Sequence, residues 1–400
     1  MPGTTIEELP SLPPQHLDLS HCYGLRTLPA LPPTLRHLDC SNCGQLQGLP
    51  QLPPSLTWLD VTECYKLQQL PALPEGMQRL TADMCEALTA LPDLPASLTH
   101  LNLYNCSSLE QLPQLKHTSM IELACNCCSL LQELPDMPNS LERLEAGYIP
   151  NLSRLPQLPT QKLKLLYVHD TAISQLPGSL PCLEDLHCGG APIRQLPVLP
   201  KCLVLDVSDS EHLQQLPEQL SPSLIHLDCS GCSELQLLPA QLPRLLRRLC
   251  VGGCRALQQL PAQLPARLLE LDCAGCSGLQ QLPAQLPRTL DSLQLNHCTA
   301  LKQLPEQLPA SLTHLNCSKC SGLQQLPAHL PRQLTILDVS NCTALQQLPE
   351  LPPALRCLNC QGCSSLRQLP DLSQCQAKRV PLKGCSALRE VCVGGCTLEL

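Results

Sequence analysis

The sequence predicts a repeat solenoid with one short parallel strand per unit, and three observations predict it. A Leu-Pro pair opens each of eighteen units, its Leu at 9, 28, 49, 70, 91, 112, 134, 155, 176, 196, 216, 238, 260, 282, 304, 326, 348 and 369, spaced 19 to 22 residues apart. Between the pairs the residues follow L-x-x-L-x-(L/V/C)-x-x-C-x-x-L, as in the unit Leu304 to Gln325, LPEQLPASLTHLNCSKCSGLQQ. Aromatic residues are scarce, with no Phe and one Trp, so Leu has to fill the interior. A chain of 400 residues would need an unusually large single core, whereas an array has no such limit.

Each half of the unit has its own logic. The alternation of Leu315 and Cys317 marks a short strand with one face inward. One strand cannot bury its Leu face alone, so neighbours stack into a parallel sheet at about 4.8 Å per step. The other half, LPEQLP in this unit, carries two prolines. They remove amide donors and fix φ, which predicts an extended, polyproline-like convex side with little helix. Thin convex walls and short units predict a leucine-rich-repeat horseshoe. Residues 1–8 read as the end of an incomplete first unit, 9–390 as an array of about 18 repeats, and 391–400 as a terminal partial repeat. Ile6 already sits in the repeat register, with no helical cap before it. From Leu216 to about Leu348 a second period of 44 residues appears, which duplication of a two-unit block explains.

Cysteine is abundant, with 29 in the chain. Fourteen occupy one column after the strand: 22, 43, 64, 85, 106, 128, 232, 254, 276, 298, 320, 342, 363 and 385. Units lacking it place Ile149, Thr171, Ala191 or Ser210 there, all uncharged and mostly small, as a buried slot demands. Six C-x-x-C pairs follow (40/43, 125/128, 229/232, 273/276, 317/320 and 360/363). That spacing elsewhere suggests zinc or redox chemistry. Here the later pairs stand two units apart, about 10 Å, too far to share one tetrahedral ion. The pairs read as packing, with no structural metal and no cofactor. Column neighbours roughly 5 Å apart fall within disulfide range, so an oxidising compartment would risk mispairing. A reducing, cytoplasmic compartment is expected.

Strand positions between the inward residues face the concave side. His37-Asp39-Ser41 and His226-Asp228-Ser230 resemble a hydrolase triad in composition only. Residues at i, i+2 and i+4 form a row roughly 7 Å apart, with the Asp between the other two, so the Ser cannot meet the His nitrogen. No catalytic residue and no enzyme activity are expected. Binding hot spots favour Trp, Tyr and Arg, which are rare here, so their placement counts. Trp58, Arg79 and His100 are consecutive in one column, with Asp60, Asp83, Asn102 and Tyr104 beside them. Leu165, Tyr167 and His169 form a second patch, where the repeats are least regular. The Asp and Asn column makes this face acidic, suited to a basic or polar protein segment.

The formal net charge is -8 and no basic run appears, so nucleic acid is not an expected partner. No stretch approaches the roughly 18 to 20 apolar residues of a membrane span. The doubled LP-x-LP followed by L-x-x-L-x-V resembles the repeats of bacterial secreted leucine-rich-repeat effectors, the IpaH, SspH and YopM class. The chain departs from them in placing Cys where they carry Asn. The C-x-x-L version, as in LDCSGCSELQLLP, is also similar to repeats of plant intracellular immune receptors. The resemblance implies a non-enzymatic module that binds a host protein, delivered by a specialised secretion system into host cytosol. It implies two alternatives as well. One is the substrate-recognition half of a ubiquitin-ligase-type effector whose catalytic domain this sequence has no room for. The other is the sensing region of an immune-like receptor.

Overall fold

A computed structural model of the chain describes residues 15–373, 375–377, 379–389 and 397–399. The expected partial first unit, and all of the expected terminal one except 397–399, lie outside these residues. The chain divides into two compact units, the first Met1–Pro192 with Pro197–Leu199, the second Ile193–Leu196 with Pro200–Leu400. Among the described residues every regular element is a three-residue strand and no helix occurs. In particular, no helix is long and apolar enough to cross a membrane. Each unit is a parallel-strand solenoid.

In the first unit the strands run from His16–Asp18 to Asp185–His187, each paired in parallel with the next. Register is column on column: Leu38 pairs with Leu59, Leu59 with Leu80, Leu80 with Leu101. In the second unit the same ladder runs from Val204–Asp206 to Cys357–Asn359. It is followed by Arg379–Pro381 against Thr397–Glu399. The expected strand in the Leu304 unit is His314–Asn316, with Leu315 and Cys317 both fully buried. Leu at every strand centre from Leu38 to Leu358 is at most 2 % exposed. A slip of one residue would turn that whole column to solvent, so the pattern locks the register.

The proline half is extended, as its composition predicts. It ends in a β-turn that leads back to the strand. Leu35 N donates to Pro32 O at 3.1 Å, and Met77 N to Pro74 O at 3.0 Å. A Ser or Thr in this turn stitches adjacent repeats: Ser311 Oγ lies 2.7 Å from Leu290 O and 2.8 Å from Arg288 O. In the second unit the Gln-Leu tails add isolated parallel bridges, such as Gln259 with Gln281 and Gln303 with Gln325.

Among the described residues the core is built from Leu, Cys, Val, Met, Ala and Ile without a single aromatic ring. The Cys column is buried as expected, apart from half-buried Cys22 and Cys385 at its ends. It also has a bonding role. Thirteen of its thiols donate to a backbone carbonyl of the preceding repeat, at 3.0 to 3.2 Å. Cys64 Sγ reaches Cys40 O, the same carbonyl that accepts Cys43 N at 3.3 Å, so both lone pairs of a buried acceptor are used. Before each column residue the chain adopts positive φ, from 52° at Asp170 to 86° at Gly384. Six of these positions are Gly; several others are Asn, Asp or His, the side chains that tolerate this region best. The turn is worth that strain because it aims the amide at the next repeat, as with Asn42 N on Thr62 O at 2.7 Å.

Burial pushes these thiols up, to about 11 at Cys43 and Cys320 and to about 12 at Cys64, Cys128 and Cys276. A thiol that is both enclosed and protonated is a poor nucleophile. Under native, reducing conditions a thiol reagent should therefore label only six described cysteines quickly, 22, 127, 182, 357, 375 and 385, and half-buried Cys250 more slowly, because burial pushes its thiol up to about 12. The other 20 should react only after denaturation. Peptide mapping of the label checks this, and fast stoichiometric labelling of Cys276 or Cys320 in folded protein would contradict the ladder.

Candidate functional site

The strand face of the first unit gathers the rare side chains. Pairing sets Trp58 beside Arg79 and Arg79 beside His100, so the first expected patch is one contiguous row. It extends backwards: the His37 ring meets Trp58 edge-on at 6.0 Å, and the His16 and His37 ring centroids are 4.1 Å apart. Trp58 and His100 are half-buried and Arg79 is exposed. Asp83, Asn102 and Tyr104 form a bonded group. Asn102 Nδ2 donates to Asp83 Oδ2 at 2.9 Å, and Tyr104 N donates to Asp83 Oδ1 at 3.1 Å.

The Asp and Asn column has a structural duty that its charge conceals. Asp39 Oδ1 accepts Ser41 N at 2.8 Å, Asp60 Oδ1 accepts Thr62 N at 2.9 Å, and Asp338 Oδ1 accepts Ser340 N at 2.8 Å. Each closes an Asx-turn that starts the chain away from the strand. Ser230 donates through both its amide and its hydroxyl to Asp228 Oδ1. The hydroxyl thus turns to the carboxylate, in keeping with the row geometry.

The second expected patch is part of a larger ring cluster. Tyr167 and His169 stack at 6.1 Å, and Tyr148 stacks on His169 at 5.5 Å. His187 lies 5.4 Å from Tyr167. Leu165, half-buried, stands in the column beside Arg143 and Asp185. Gly147 makes the cluster feasible, because a Cβ there would lie 2.3 Å from Tyr167 Cε1. Tyr104 approaches the same cluster beside Cys127, to whose sulfur its hydroxyl donates, and that bond raises the phenol's pKa. Sequence reasoning did not single out Tyr148, His187 or Gly147. The available signal was that Tyr148 follows Gly147 in the turn position that Ser and Asn fill in Asp39–Asn42.

The second unit carries no Trp or Tyr. On its strand face a recess of about 360 Å³ is bordered by His226, Asp228, Arg248, Cys250, Glu270 and Asp272. Arg248 and Glu270 form an ion pair at 2.5 Å.

No protein-family model matches the sequence, and no curated protein matches it. Solved structures do. YopM from Yersinia enterocolitica WA-314 is 28% identical and superposes with a TM-score of 0.53, over 96% of this chain and 91% of that one. The chain is a leucine-rich-repeat solenoid. YopM from Yersinia pestis, described as a leucine-rich effector protein, is 26% identical with a TM-score of 0.44, over 96% of this chain and 89% of that one. Of the classes that the sequence resembles, the likeness to the Yersinia enterocolitica protein bears on YopM alone, and not on IpaH, SspH or plant receptors.

Asp83 gives this surface a pH dependence. Burial pushes its carboxyl up to about 6 from 3.8, against the Tyr104 amide, which favours the anion. The folded state therefore holds the extra proton between these values. The group stabilises the fold most below pH 4, and that contribution is lost as pH rises through about 6. Asp83→Asn keeps an oxygen for Tyr104 N and removes the buried charge, but its amide nitrogen cannot accept from Asn102 Nδ2, a loss that is the same at every pH. Urea unfolding should therefore show the variant faring better relative to wild type at pH 7.5 than at pH 4, by on the order of 1 kcal/mol after discounting for solvent screening. An equal difference at both pH values would show that the charge is not the cause.

Proposed function

We propose that this protein is a non-enzymatic interaction module that binds a partner protein through its strand face, as an effector-type protein in host cytosol. One observation carries the reading: every Trp and Tyr of the chain lies off the core. The six rings are Trp58, Tyr23, Tyr65, Tyr104, Tyr148 and Tyr167. None is among the buried residues, and Tyr23, Tyr65, Tyr104 and Tyr148 are 40 to 67 % exposed. A core that dispenses with aromatics has no packing reason to place them there, whereas recognition surfaces use them as anchors. Rings beside the carboxylates of Asp39, Asp60 and Asp83 suit Lys or Arg side chains of a polar or basic segment. Similarity to YopM from Yersinia enterocolitica, one of the effectors whose repeats the sequence resembles, supports the effector part of the reading.

Affinity capture from host lysate with mass spectrometry tests it. Wild type should enrich a discrete protein. Trp58→Ala/Arg79→Ala and Tyr167→Ala should each lower its recovery about tenfold or more, as loss of a hot spot does. Gly147→Ala should act like Tyr167→Ala, because it displaces the ring without deleting it. Unchanged capture by all three variants, folded by circular dichroism, would overturn the assignment of this face.

A further inference from the structure

We propose that His226, Asp228 and Cys250 in the second unit form a binding site for a thiophilic divalent cation such as zinc. His226 and Asp228 alternate on one strand and so share its outer face. Cys250 is the direct register partner of Asp228 on the next strand. One ligand atom from each of the three lies within 4.8 Å of the other two. A tetrahedral zinc with metal–ligand bonds of about 2.0 to 2.3 Å needs its donors about 3.3 to 3.6 Å apart. Side-chain rotation of half-buried residues on a fixed sheet covers that difference. Imidazole nitrogen, thiolate sulfur and carboxylate oxygen are the donors zinc takes.

Cys250 stands apart from the other thiols in what it does. It occupies the outward column that holds Asp206, Asp228, Asp272, Gln294, Asn316, Asp338 and Asn359 in the same unit. At Asp228, Asp272 and Asp338 this side chain caps the amide two residues on, at 2.8 Å. Among the described residues Cys250 makes no such bond. It neither fills the core nor closes its turn, so neither structural role accounts for a thiol here. The surroundings suit a cation. Asp228 and Asp272 flank Cys250, and the neighbouring positive charge of Arg248 is paired with Glu270 at 2.5 Å. Ser230 holds Asp228 through Oδ1 alone, which orients the carboxylate and leaves Oδ2 for a metal. The recess of about 360 Å³ over these residues admits the ion and leaves space for a fourth donor, water or a group from a bound molecule.

The experiment uses the full, reduced, chelator-treated chain and zinc or cobalt(II) alone. Wild type should take up one tightly held equivalent of zinc in competition with a chromophoric chelator. Cobalt should show the charge-transfer absorption of a thiolate ligand. His226→Ala and Cys250→Ser should each weaken zinc binding on the order of 100-fold or more, and Cys250→Ser should abolish the thiolate band. Asp228→Asn, which keeps the turn cap, should weaken binding with an unchanged circular dichroism spectrum. Cys357→Ser, at an exposed thiol on another strand, should change nothing. Zinc should also protect Cys250 from alkylation, read by peptide mapping. A thiolate band that survives Cys250→Ser, or zinc uptake by wild type only at millimolar concentration, would overturn the site.

Discussion

A backbone amide in this fold finds its acceptor mostly in a neighbouring repeat, and the rest of the structure depends on that constraint. The strand ladders run from repeat to repeat, and the turns repeat the arrangement, with Leu19 N on Asp39 O and His21 N on Ser41 O. Within a repeat only short turns are closed, such as Leu25 N on Cys22 O at 2.9 Å. A unit taken alone would leave its strand amides unpaired and its Leu face wet, both costly. Stability therefore resides in the interfaces between units, the situation described by nearest-neighbour models of repeat proteins. Identical spacing is what makes identical bonds possible, so the differences in unit length fall outside the strand, in the proline half and, in the units of Thr171 and Ala191, in the turn after the column position.

The column cysteines solve a local version of the same problem. The turn after each strand brings a carbonyl into the interior, where one amide from its own turn leaves a lone pair unused. A thiol fits a slot only large enough for a small hydrophobe and donates weakly across to the neighbouring repeat. Asparagine could do the bonding but would bring a larger polar group into an apolar interior. Thr171 shows the alternative at the same position: its hydroxyl bonds Val168 O of its own turn at 2.9 Å and gives up the inter-repeat bond.

Most of the fold was legible because its cause is periodic. Strand centres, inward Cys and the proline half all follow from spacing and residue type, and the lack of helix among the described residues follows from Pro. What did not show in the sequence was any feature that depends on geometry without a distinctive residue. The positive φ before each column residue is served by Glu63, Met84 and Lys319 as well as by Gly, so composition does not mark it. The Asp column looked like a charged face because Asp and Asn are polar, yet their first obligation is to the amide two residues on. The patches at Trp58–Arg79–His100 and Tyr167–His169 were legible as columns; their extension to Tyr148 and His187 needed ring positions that alternation cannot supply. Cys250 was visible in its column, but its nearness to His226 Nδ1 or Nε2 and Asp228 depends on which way those side chains turn.

The irregular stretch around Tyr148 shows how departures from a repeat can belong together. Its unit places Gly147, Tyr148 and Ile149 where the unit of Asp39 has Ser41, Asn42 and Cys43. Gly147 removes the Cβ that would strike Tyr167. Tyr148 takes the positive-φ position at 57°, a strained place for a ring, and from there reaches His169. Ile149 fills the column slot completely but offers no donor, so this turn forgoes the thiol bond its neighbours make. Each substitution alone would weaken the array. Taken together they build an exposed aromatic surface, so the local cost in packing and strain is tied to a single feature of the strand face. Random drift would scatter such losses along the chain, whereas here three consecutive residues depart from the repeat in ways that one ring cluster explains.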